Sequence, residues 1–224
     1  MENKEIENIE RLMKDKNVQF RGFHVTAETR SGEDNRELLT IRGLPAAFNS
    51  ETVLFQSNGV DYCESIDPHA FDNCDMSDVI FNYNHHGRVF ARTRNDSLRL
   101  KVTENGLEME ADMWADDTGH VELYRDIQRG NIDRMSFAFT INGERYEQSK
   151  GKFLRTITSI DKLYDVSAVD IPAYDATSIS ARAAFEAESL RREAESRRLE
   201  KSSRARKITA ERAKRRLKRW TTEK

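Results

Sequence analysis

The chain is 224 residues long, 37% hydrophobic and 34% charged, enough for one good-sized domain and an appendage. Its net charge of −2 hides an asymmetry: residues 181–224 hold 16 Lys/Arg against 7 Asp/Glu, and residues 1–180 hold 21 against 32. No stretch approaches the ~18 apolar residues of a membrane span, and the opening MENKEIENIERLMKDK lacks the apolar core of a signal peptide. Cys63 and Cys74 have no CxxC spacing. A soluble, intracellular protein with two thiols is therefore expected, with an acidic body and a basic tail.

Residues 1–18 form a polar lead-in, and strand signals begin near Phe20. LLTIRGLPAAF (38–48) has strand content broken by Gly43 and Pro45, and VIFNYNH (79–85) is similar. SLRLKVTE alternates with Leu98, Leu100 and Val102 on one face, Asn105-Gly106 supplies a turn, and LEMEADM alternates again. That is a hairpin pattern. A helix follows, capped by Asp116, Asp117 or Thr118, with Val121, Tyr124 and Ile127 on one stripe and Gly130 ending it. MSFAFTI and FLRTITSIDKLYDVSAVD then form a hairpin over a polar loop, NGERYEQSKGK. Antiparallel strands around one helix predict an α+β or barrel-like domain over 19–181. Residues 182–220 lack Gly and Pro and carry a thin apolar stripe of Phe185, Leu190, Leu199, Ile208 and Leu217. A charged helical or disordered tail is expected over 182–224, either solvated or docked on a partner.

Nucleotide and zinc motifs are absent from the sequence, and no cofactor or metal is expected. Among the five histidines, His24 and His120 read as isolated packing or surface residues, and His69 as an exposed turn residue. His85 and His86 lie where an apolar strand breaks into Gly87-Arg88, an edge where functional groups gather. Read as strand residues they point to opposite faces, so at most one enters a given site.

In IDRMSFAFT (132–140), alternation sends Met135, Phe137, Phe139 and Ile141 to the core and Ser136, Ala138 and Thr140 to the other face. That second face of small side chains leaves room for an extended substrate. Asp165 is a carboxylate within an apolar strand, costly unless partnered. His85, Ser136 and Asp165 have the types needed for a base, a nucleophile and an orienting group. The pattern alone favours an ordinary strand serine.

The segments LTIRGLPAAFNS, CESIDPHAFD, FNYNHHGRVFARTRNDSLRL, ENGLEMEADM, RGNIDRMSFAF and LYDVSAVDIPAYDATSISAR occur in this order over roughly 20–182. In this they resemble the prohead, or capsid maturation, serine proteases of tailed phages and prophages, relatives of the herpesvirus assemblins. The resemblance implies an assemblin-like, mainly antiparallel protease domain. It also implies His85 as general base, Ser136 as nucleophile and Asp165 as orienting carboxylate. The sequence departs from the family in two ways: His86 stands at a position commonly small or polar, and Asp165 where many relatives have Glu.

The implied substrates are the scaffold segment of the major capsid protein and the enzyme itself, cut inside the immature prohead in the host cytoplasm. Self-association is also implied, and the basic tail would retain the enzyme in the prohead. Arg134 and Arg155 are candidates for the oxyanion site near the strand ends. A non-enzymatic assembly factor of the same fold is the main rival reading. A β-barrel nucleic-acid binder with a basic arm is the second, disfavoured by the acidic body.

Overall fold

The computed structural model describes residues 19–31, 37–170, 184–204 and 206. The chain divides into two compact units, residues 1–180 and 181–224. The first is built from β1 (Gln19–Ser31), β2 (Glu37–Ala47), β3 (Thr52–Ser57), β4 (Val60–Ile66), β5 (Ile80–Tyr83) and β6 (His86–Arg92). After a short 3₁₀ turn follow β7 (Leu98–Val102), β8 (Gly106–Trp114), α1 (Thr118–Gln128), β9 (Arg134–Ser149) and β10 (Lys152–Val169). In the second unit residues 184–204 form a helix, along which Glu188 pairs with Arg191 and Arg192 one turn on. The rest of the expected tail, and the lead-in over 1–18, lie outside the described residues.

The ten strands make one sheet along the path β3-β4-β10-β9-β1-β2-β8-β7, with β5 and β6 branching from β10. Strand β10 is the branch point. It runs antiparallel to β9 along its length, while β4 lies parallel to its first half and β5 parallel to its second. The path does not close, so the barrel-like expectation gives way to an open, forked sheet within the α+β class. One of its edges, β7, carries exposed Arg99 and Lys101, charges of the kind that keep an edge strand from pairing further.

Several predicted elements form as the pattern implies. The β7–β8 hairpin pairs Leu98 with Ala111 and Val102 with Leu107. Gly106 is required there, because a Cβ at that position would lie 1.9 Å from the carbonyl oxygen of Ala46. Helix α1 starts on Asp117, whose carboxylate accepts from the Gly119 and His120 amides, and it ends before Gly130, whose φ is 76°. Its buried face is His120, Leu123, Tyr124 and Ile127. Val121 is only partly buried against the core.

Two readings need correction. LPAAF does not interrupt its strand: β2 runs through Gly43 and Pro45, and a register shift between Gly43 and Ala46 absorbs the break. NGERYEQSKGK is not a loop either, since β9 continues to Ser149 and turns only at Lys150-Gly151. Its polar composition is that of an exposed ribbon, where most side chains on both faces meet solvent. At the core end of the same hairpin, Met135, Phe137 and Phe139 are fully buried, with the two phenylalanine rings stacked 4.6 Å apart.

Candidate active site

The site begins in the connection between β5 and β6. Tyr83 pairs with His86 across the hairpin, leaving Asn84 and His85 as its two turn residues. Both have positive φ, 53° and 59°, as the central residues of a type I′ turn require. Asparagine tolerates this region well and histidine better than most non-glycine residues. The turn is anchored to the end of β10: Asn84 N–H donates to Ala168 C=O at 2.9 Å, and Asp170 N–H donates to Asn84 Oδ1 at 3.3 Å. The two histidines are therefore not alternating strand residues. His85 is carried by the turn and buried, while His86 opens β6 and is exposed.

Register then aligns the partners. Across β5, β10, β9 and β1 one row reads Asn82, Ser167, Ser136, Gly22. The adjacent row on the same face includes Ile80, Asp165 and Ala138. Ser136 thus shares a face with Asp165 and Ser167. His85 Nδ1 lies 2.8 Å from Asp165 Oδ1, with both side chains buried. A carboxylate acceptor fixes the proton on Nδ1 and leaves the Nε2 lone pair as the basic position. Ser136 Oγ is buried with no hydrogen-bond partner among the described residues. An unpartnered buried hydroxyl is costly, and it is a recurrent mark of a group held ready for another molecule.

The small-residue face is not the open groove its composition suggests, since Ser136 and Ala138 are as buried as their core-facing neighbours. Two further polar residues on it, Asn82 and Ser167, are fully buried and were not singled out from sequence. Their only signal there is alternation, which gives each the same parity as Ile80 or Asp165 along its strand.

The remaining candidates separate from this cluster. Arg155 lies ten residues before Asp165 on β10, on the order of 30 Å away along an extended strand. Its guanidinium is bound to Glu64 at 3.0 Å and Glu144 at 2.6 Å. Arg134, at the start of β9, pairs with Asp133 at the surface. His69 is exposed and bound to Asp72. His120 is buried in α1 and accepts from the Trp114 amide through Nδ1. The side chain of His24 is outside the described residues. Both thiols are free, and burial pushes Cys63 up and Cys74 to about 11, so neither is an activated nucleophile.

Residues 25–192 match the caudovirus prohead serine protease family. The chain belongs to that family. No curated protein and no solved structure matches it. Membership indicates a serine protease with a place in phage capsid maturation, and hence dealings with capsid proteins inside the procapsid. Ser136, His85 and Asp165 all fall within the matched span. Among the described residues no helix is long and apolar enough to cross a membrane.

Proposed function

We propose that the chain is a serine endopeptidase acting through Ser136, His85 and Asp165, and that it cuts the scaffold segment of the capsid protein and itself during prohead maturation. The observation that carries this reading is the buried His85–Asp165 pair on the same sheet face as a buried serine hydroxyl without a partner among the described residues. Family membership supplies the setting.

In the first step Ser136 Oγ attacks the scissile carbonyl while His85 Nε2 takes the hydroxyl proton. The imidazolium forms beside the Asp165 carboxylate, which stays ionised and offsets the new charge. The tetrahedral intermediate collapses as His85 returns the proton to the leaving amine. Water then repeats the cycle on the acyl-enzyme, releasing the new carboxylate and restoring Ser136. Asp165 is shorter than the glutamate common in the family, and the tight turn at Asn84-His85 brings the imidazole close enough for the shorter side chain. Because the three side chains are buried, a substrate strand reaches Ser136 only after that face of the sheet is uncovered.

Co-expression with the cognate capsid precursor tests the proposal. Wild type should shorten the precursor, and Ser136→Ala should leave it intact. Equal processing by both would remove Ser136 from the chemistry. No processing by either would favour the assembly-factor reading.

A further inference from the structure

Two serines face each other in the site row, Ser136 on β9 and Ser167 on β10, and their surroundings differ. Ser136 Oγ has no hydrogen-bond partner among the described residues. Ser167 Oγ lies 3.2 Å from Asp165 Oδ1, the oxygen that also receives the His85 bond. It is also in close hydrogen-bond contact with the side-chain amide of Asn82. Both Asn82 and Ser167 are fully buried.

The proton count selects one arrangement. A hydroxyl carries a single proton and cannot donate to an amide oxygen and a carboxylate together. With the amide oxygen toward Ser167, that proton is drawn to Asn82, and the buried Asn82 Nδ2 has no partner among the described residues. Turned end for end, an amide fills the same space. Nδ2–H then donates to Ser167 Oγ, and the Ser167 proton goes to Asp165. This second arrangement exchanges an unmet amide donor on Asn82 for an unmet amide oxygen, and its gain is that the buried Asp165 carboxylate receives a second donor.

We propose that Asn82 and Ser167 form a hydrogen-bonded relay behind the carboxylate, which positions Asp165 and keeps it ionised while His85 gains and loses a proton. The inference rests on the assignment of His85 and Asp165 made above. Ser167 touches neither substrate nor reacting atoms in this scheme, and it is a positioning residue. The relay also explains which serine of the row is available to attack. The Ser167 hydroxyl is committed as a donor to an anion and accepts from an amide, whereas Ser136 has no such commitment. A bond from a neutral donor to a charged acceptor in a buried site is among the stronger side-chain interactions, and it leaves less of the carboxylate's charge to be met by His85.

The test uses the full chain with the cognate capsid precursor as substrate. Ser167→Ala should lower kcat about 10- to 100-fold with little change in KM. The acid limb of its pH–rate profile should move to higher pH, because an unshielded carboxylate stabilises the imidazolium more. Ser167→Thr, which keeps the hydroxyl, should restore both rate and profile. Asn82→Leu should shift the profile in the same direction as Ser167→Ala.

A second readout does not depend on turnover. In a Ser136→Ala background, the titration of the His85 ring followed by nuclear magnetic resonance should move upward when Ser167 is changed to Ala. An unmoved His85 titration together with a wild-type profile in Ser167→Ala would overturn the relay. So would a loss in Ser167→Ala that Thr does not rescue. If instead Ser136→Ala still cleaves while the His85 titration responds to Ser167, the nucleophile assignment fails and the relay stands.

Discussion

Strand β10 carries two buried ionic groupings, at Arg155 and at Asp165, and they are built to different ends. At Arg155 one guanidinium meets two carboxylates, Glu64 at 3.0 Å and Glu144 at 2.6 Å. Burial works against its charge, yet the fields of Glu64, Tyr146 and Glu144 outweigh burial and raise its pKa. Arginine does not release its proton in proteins, so nothing at that end can be transferred. At Asp165 the partner is an imidazole, a group that can both take up and give back a proton, and the neighbouring Ser136 hydroxyl has no partner among the described residues. The difference teaches how to tell a pair that braces a sheet from one that can act. Burial and short distances are common to both, and only the second combines an imidazole partner with a hydroxyl that is unsatisfied among the described residues.

The comparison is sharpest in variants that exchange activity for stability. Asp165→Asn should lower the rate of precursor cleavage by about 10³- to 10⁴-fold, read from timed gel samples. A retained rate would remove the carboxylate from the mechanism and erase the contrast. Arg155→Met should do the reverse. It removes the cation beside the buried Glu64 carboxylate and the more exposed Glu144 and should cost about 3–5 kcal/mol in urea unfolding, with the rate per folded molecule nearly unchanged. Adding Glu64→Leu should recover part of that loss, since the buried carboxylate that faced the guanidinium is gone. A cleavage defect in folded Arg155→Met would tie the two ends of the strand together.

Smaller effects probe the supports. Asn84→Val places a β-branched residue at a φ of 53°, a strain of roughly 1–3 kcal/mol. It should reduce both stability and cleavage by misaiming His85, whereas Asn84→Gly should be tolerated. The smallest effect concerns His120. Burial pushes its imidazole below the ordinary 6.5, in keeping with Nδ1 accepting from the Trp114 amide at 3.0 Å. The unfolded chain therefore takes up this proton first as pH falls. The stability contributed by His120 is fully present above about pH 6.5 and declines below it. Comparing urea midpoints at pH 7.5 and 5.5, wild type should lose more than His120→Asn. Equal losses would show that this imidazole is not kept neutral by folding.

Much of the scaffold was legible because local rules suffice for it. The β7–β8 hairpin, the α1 cap and the outward turn of Ser136 each depend on residues within a few positions of one another. The position of His85 was not legible. Asn-His lacks the glycine that announces a two-residue hairpin, so an apolar run reads as a strand that simply continues. The partnership of His85 with Asp165 spans eighty positions, and the sequence suggested it only through residue type and family order. Exposure was misread in both directions along β9. The small face near Ser136 is buried, and strands β5 and β10 and the turn after β5 bring Asn82, Asp165 and His85 to it. The polar stretch after Ile141 is ordered because it pairs with β10 and not because it packs on a core.

The fork at β10 also has a consequence for the order of synthesis. Strands β4 and β5 leave the ribosome early, but each finds its parallel partner only in β10, the last strand of the sheet. The Asp165 carboxylate and the Ala168 carbonyl that anchors the Asn84 turn arrive with that strand. A partly made chain therefore holds the serine and the histidine without the element that brings them together. Under the proposed assignment, an incomplete copy would lack the Asp165 carboxylate and the anchor of the His85 turn until the whole sheet can form.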